Sequence, residues 1–146
     1  MILISHRGNI DGANISEENN PNYIDLAISK GYDVEVDVWV ENEILYLGHD
    51  APVYKINIDW FLERISNLWI HCKNVDSIIF FKKLNKNFNF FWHEKDTITL
   101  TSQSYLWVYP GKQPIEGSIA VLPELNNDNL SLCLGICSDY IKNYHD

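Results

Sequence analysis

The sequence predicts an α/β fold: a compact (β/α)8 barrel of the TIM kind, with several outer helices missing or reduced to loops. Three observations lead there. The first half alternates strand, helix and strand, and parallel neighbours need such crossover connections. The reactive side chains of the first four strands gather at or near their C-terminal ends: His6 and Arg7, Glu35 and Asp37, His49 and Asp50, His71 and Lys73. In a closed parallel barrel these ends share one rim, which is where active sites of such barrels lie. Finally, the 146 residues suit one domain but fall short of the roughly 250 of a full barrel, so helices must be lost, chiefly after the fifth strand.

Taken in order, residues 2–5 read as a buried strand ending in His6-Arg7-Gly8, followed by a polar loop from Asn9 to Asn19. Pro21 opens a helix whose Tyr23, Ile24, Ala27 and Ile28 share a face, and Gly31 closes it. Residues 33–39 form a strand, Asn42 marks a turn, and residues 44–47 form a third strand that runs into Gly48-His49-Asp50. Residues 57–66 and 75–84 have helical spacing, the latter with Asp76 near its start and Lys82 and Lys83 in its last turn. Between them residues 68–72 form a fourth strand, and residues 88–92 an aromatic fifth. Residues 97–101 are treated as part of a connection, and 106–109, 119–122 and 134–137 as the last strands, giving about eight.

Composition narrows the function classes. Formal net charge is −9 and the eleven Lys and Arg residues are scattered, which argues against a nucleic-acid backbone or an anionic membrane as partner. Residues 1–4 show no signal-peptide pattern, and no apolar run reaches transmembrane length, so membrane insertion is not expected. Cys72, Cys133 and Cys137 have no paired spacing, and reduced thiols in a cytoplasmic protein are the simplest account.

The chemistry centres on Asp33-Val34-Glu35-Val36-Asp37-Val38-Trp39. Strand alternation puts Glu35 and Asp37 on one face, roughly 6–7 Å apart, and the three valines on the other. Two adjacent buried carboxylates are costly without compensation, so either water reaches them or a hard divalent cation such as Mg²⁺ or Ca²⁺ does. A solvated edge-strand face and a cation site are both open on this strand alone. His71 and Lys73 repeat the alternation. Lysine on an inward face needs an anion, whereas His71 reads equally as a satisfied core histidine or a metal ligand. Trp60, Trp69, Trp92 and Trp107 read as core, Trp39 and Tyr109 as pocket lining, and Asp139 as a residue fixing a neighbour on the rim.

His6-Arg7-Gly8, then Glu18-Asn19, then Gly31-Tyr32-Asp33 before Glu35-x-Asp37, then His49-Asp50, resemble in order and spacing the signature of the glycerophosphodiester phosphodiesterase family. That family belongs to the phosphatidylinositol-phospholipase-C-like barrels, and the match covers residues 5–50 well, with weaker echoes at Lys73 and residues 135–140. The resemblance implies that His6 and His49 are catalytic, one as general base and one as general acid. It implies that Glu35 and Asp37 bind a divalent cation, that Arg7 and Lys73 hold phosphate oxygens, and that Glu18 supports the loop under His6. The implied substrate is a small phosphodiester. Cation and cationic side chains neutralise its charge, and two imidazoles titrating near neutrality share the proton transfers. The chain departs from the family at His71, which stands where a third acidic ligand is usual. Imidazole admits Mn²⁺ or Zn²⁺ beside Mg²⁺ and Ca²⁺, and Glu94 is the candidate for the missing carboxylate. Stripped of helices, the strand 88–92 is expected to leave apolar residues bare and so to be covered in a homo-oligomer.

Overall fold

The structure, a computed structural model, describes residues 1–145. Its ten strands are β1 (Ile2–His6), β2 (Asp33–Glu41), β3 (Ile44–Leu47), β4 (Tyr54–Ile56), β5 (Leu68–Cys72), β6 (Asn89–Trp92), β7 (Ile98–Leu100), β8 (Leu106–Val108), β9 (Ser118–Val121) and β10 (Gly135–Ser138). The helices are α1 (Pro21–Ser29), α2 (Ile58–Glu63) and α3 (Val75–Leu84).

All strands belong to one sheet, and it is mixed. β1 lies between β2 and β10, both parallel to it; β9 and then β8 continue on the β10 side, also parallel. On the other side β5 pairs parallel with β2, and β6 with β5. Two additions run antiparallel: β3 with β4 on the far half of β2, and β7 on β8. The predicted (β/α)8 barrel is therefore corrected to a curled, mixed half-barrel sheet. Among the described residues there are three α-helices, all before β6, and no ladder joins β6 to β8. The two arms instead meet through side chains, with the Phe91 and Trp107 rings 4.7 Å apart.

β2 explains the layering. Its Val34, Val36 and Val38 are fully buried on the outer face, in a cluster with Ile24 and Ala27 of α1, Phe61 of α2 and Phe81 of α3. Each of these large side chains contributes about 1.5–3 kcal/mol through burial. Inside the curl, Ile4, Trp69, Phe91, Trp107, Ile119, Val121 and Cys137 form a second cluster. Glu35 and Asp37 share this inner face.

Local signals place the helices. Asn20 caps α1 ahead of Pro21, and Asn57 caps α2. Asn74 and Ser77 form a reciprocal capping box at α3, with Lys82 and Lys83 in its last turn. α3 also covers β6: Phe88 is buried and the Phe81 and Phe90 rings lie 6.0 Å apart. The apolar face from which a homo-oligomer was expected is thus partly covered from within the chain, with Phe90 and Trp92 half-buried. Among the described residues no helix is long and apolar enough to cross a membrane.

Candidate active site

The sharp turn after β1 sets the site. Arg7 has φ 57° and Gly8 φ 95°, and a Cβ on Gly8 would lie 2.6 Å from the Tyr23 ring, so glycine is required there. The turn aims the Arg7 guanidinium across the end of β2: its Nε lies 3.1 Å from Asp37 Oδ2 and its Nη1 donates to Glu18 Oε1 at 3.2 Å. Its Nη2 donates to His49 Nε2 at 3.3 Å, so that nitrogen accepts and the ring proton sits on Nδ1, 3.4 Å from Asp37 Oδ2.

His49 arrives by an unexpected route. The predicted rim of parallel strand ends does not include β3, which turns back from the projecting half of β2 through Asn42 and Glu43, both at positive φ. Its end descends to the level of Asp37, where the Gly48 N–H donates to the Asp37 carbonyl at 3.1 Å. Trp39 Nε1 fixes the same turn by donating to the Gly48 carbonyl at 2.7 Å.

His6 is held from the other side. Its Nδ1 lies 2.7 Å from Asp139 Oδ1, and its Nε2 3.8 Å from Glu35 Oε2. Burial pulls this imidazole's pKa down, but the Asp139 hydrogen bond and the Glu35 charge more than compensate, and the net shift is upward. Asp139 moves the opposite way: burial opposes ionisation, and the contact with His6 overcomes it.

Glu35, Asp37 and His71 form the floor. Their ligand atoms lie within 4.8 Å of one another, with His71 Nδ1 3.2 Å from Asp37 Oδ1 and 3.6 Å from Glu35 Oε1. His71 Nε2 donates to the His93 carbonyl at 2.9 Å, which directs Nδ1 at the carboxylates. Burial lowers the His71 pKa, but Asp37 and Glu35 raise it to about 9. Asp37 is held well below the usual carboxylate range: burial works against this, and His49, His71 and Arg7 outweigh it.

A divalent cation fits this floor on the evidence of its orphaned atoms. Glu35 Oε2 and Asp37 Oδ1 are buried and have no hydrogen-bond partner among the described residues. Leaving a buried polar group unsatisfied costs about 1–3 kcal/mol, which a shared cation would remove. Two carboxylates and one imidazole form a donor set that suits Mn²⁺ or Zn²⁺ as well as Mg²⁺.

Of the residues singled out in sequence, the structure brings together His6, Arg7, Glu18, Glu35, Asp37, His49 and His71. Lys73 follows the end of β5, its N–H bonded to the Val38 carbonyl, with no ion pair among the described residues. Glu94 does not join: it is exposed and only its N–H is engaged, by Asp96 Oδ1 at 3.0 Å. Strand parity explains this, because Phe91 and His93 face inward and Glu94 does not.

Two residues carry weight that sequence reasoning gave no role. Asn19, 1% exposed, brackets Asp37 by donating to Oδ2 at 2.9 Å and accepting the Asp37 N–H at 2.9 Å. Asn9, also buried, donates to both Glu18 Oε2 and Asp139 Oδ1. The available signal was an Asn-rich loop beside an acid pair.

A cleft of about 490 Å³ opens onto Arg7, Glu18, Asn19 and His49. A second of about 500 Å³, at the opposite strand ends, is lined by Asp33, Trp69, Asn89 and Tyr105 and holds none of this chemistry. Compared with family models, curated proteins and solved structures, the chain matches none.

Proposed function

We propose that the chain is a divalent-cation-dependent phosphodiesterase acting on a small phosphodiester of the glycerophosphodiester kind, a short and divergent relative of that family. The observation that carries the reading is the convergence of His6, His49 and Arg7 on one buried acid pair beside an open cleft. A cation on Glu35, Asp37 and His71 supplies charge neutralisation for the phosphoryl oxygens. Arg7 adds a second cationic donor on the cleft side, and Lys73 a third from the end of β5.

Proton traffic divides between the imidazoles. His6, its Nδ1–H held by Asp139 and its affinity for protons raised, gives a proton from Nε2 to the leaving alkoxide oxygen. His49 presents its Nε2 lone pair, which accepts from Arg7. When Arg7 turns to a phosphoryl oxygen, that lone pair is freed to take the proton of the attacking hydroxyl or water.

The test is product release from bis-para-nitrophenyl phosphate and glycerophosphodiesters with Mg²⁺, Ca²⁺, Mn²⁺ or Zn²⁺. Turnover is expected with at least one cation, falling about 10²–10⁴-fold in His6→Ala and in His49→Ala. Turnover with none of them overturns the catalytic reading. The alternative is then a catalytically silent protein that binds a phosphorylated metabolite or sugar. His71 favours that second reading, because an imidazolium between the carboxylates compensates them without any ion.

A further inference from the structure

One imidazole at the mouth of the site is idle in this chemistry. β6 faces inward at Phe91, which packs in the inner cluster, and the next residue of that parity is His93. Register pairs Asp37 with His71 and His71 with Phe91. His93 therefore stands one inward step, about 7 Å, beyond the Asp37–His71 layer toward the mouth. Its ring lies 6.0 Å from that of His71 and 3.9 Å from that of Tyr109.

His93 is 6% exposed, and its Nδ1 bonds Asp96 Oδ2 at 2.8 Å. Its Nε2 is buried with no partner. Seven buried side-chain atoms lack a partner among the described residues; Arg7 Nε, Glu35 Oε2, Asp37 Oδ1 and His49 Nδ1 account for four, and His93 Nε2 is a fifth at the same site.

We propose that His93 is a specificity residue: its Nε2 accepts a hydrogen bond from a hydroxyl on the alcohol arm of a phosphate ester whose phosphoryl group rests over the Glu35–Asp37–His71 floor. The inference rests on the phosphodiester reading above. The donor and acceptor inventory selects the hydroxyl. With its Nδ1–H given to a carboxylate, a neutral imidazole offers only a lone pair at Nε2, and a phosphoryl oxygen is itself an acceptor. An O–H carried a few ångströms from the phosphorus satisfies it. The Tyr109 ring beside it gives the carbon chain an apolar wall.

The test compares two probes that share a phosphate monoester and differ in hydroxyls, glycerol 3-phosphate and methyl phosphate. Binding is measured calorimetrically on the full chain with saturating Mn²⁺. The wild type is expected to prefer glycerol 3-phosphate about tenfold, one hydrogen bond's worth. His93→Phe is expected to lose that preference while binding methyl phosphate as before. In the wild type with diamagnetic Mg²⁺ in place of Mn²⁺, the His93 Nε2 ¹⁵N resonance is expected to move with glycerol 3-phosphate and stay with methyl phosphate, a readout that does not depend on a variant folding. Equal affinities, a preference retained in His93→Phe, or an unmoved resonance overturns the role of His93 and leaves the phosphodiester reading standing. A wild type that binds neither probe overturns the role of His93, and joined to an absence of phosphodiester turnover with every cation it overturns both.

Discussion

At Asp37 a single buried carboxylate meets Arg7, His49, His71 and Asn19, and the balance of these contacts is measurable. The raised His71 pKa and the part of the Asp37 depression that His71 causes are two ends of one interaction, so it is counted once; His49 and Arg7 cause the other parts of that depression. A histidine whose folded pKa of about 9 exceeds the unfolded 6.5 stabilises the fold fully below pH 6.5, and that stability is lost as pH rises through 9. The interval corresponds to about 3 kcal/mol. Urea denaturation in chelator is expected to show stability falling between pH 6.5 and 9 in the wild type and a clearly smaller slope there in His71→Gln, the remainder coming from His6, whose pKa is also raised. Cation uptake must expel the same proton. Calorimetry at pH 7.5 in two buffers of different ionisation enthalpy is expected to report about one proton released per cation, and none in His71→Ala. His6, Glu35 and Asp37 were legible because strand period and strand ends fix them. Arg7 and His49 were legible only as members of an ordered motif set, since Arg7 lies in a left-handed turn and the rim expected to carry His49 does not include β3. Asn9 and Asn19 were not, since an irregular loop has no period and the left-handed turn at Asn19, φ 65°, emerges only with the packed chain.

Strand β2 shows how one element does two jobs, with its valines buried against helices and its acids turned into the curl. That division was legible from alternation, and the α1 and α3 boundaries from Pro21 and Gly31 and from Asp76, Lys82 and Lys83; the Asn20 and Asn74 caps emerge only in the structure. β4 was not legible, because a three-residue, partly exposed edge strand is too short for its alternation to stand out from a loop. Nor was the antiparallel sense of β3, which a turn pair at positive φ decides. Two substitutions separate support from chemistry. A Cβ on Gly48 would meet the Ala51 carbonyl oxygen at 2.0 Å, so Gly48→Ala must displace the loop that carries His49. Hydrolysis is expected to fall about 10²-fold or more, approaching His49→Ala, with at most a modest loss of melting temperature. Asn74 caps α3 and also donates to the Val40 carbonyl at 2.8 Å and accepts its N–H at 3.2 Å, tying helix to strand away from the cleft. Asn74→Ala is expected to cost about 2–3 kcal/mol in urea denaturation and leave hydrolysis within about twofold.

Across the whole molecule, closure is the property that sequence alone left open. Clustered polar strand ends suggest a ring, but whether β6 pairs with β8 depends on register between segments joined by an antiparallel hairpin, and no local pattern encodes that. The structure joins the arms by the Phe91–Trp107 contact and by Ser102, whose N–H donates to the Phe90 carbonyl at 2.8 Å. The two arms also differ in cover. β1, β2 and β5 are paired on both sides, and Val34, Val36 and Ile70 are wholly buried, whereas β7 is an outer strand with Ile98 42% and Leu100 61% exposed. Local opening costs least where apolar contacts are few and backbone hydrogen bonds face solvent. The β7–β8 hairpin is therefore expected to exchange its amides at a lower free energy than β1, β2 and β5, which open only with the whole domain. Hydrogen exchange followed by mass spectrometry along a denaturant series checks this. If peptides covering residues 98–108 merge with those covering 33–41 only near the unfolding midpoint, the hairpin is a separate, weaker unit. Identical protection at every denaturant concentration contradicts it.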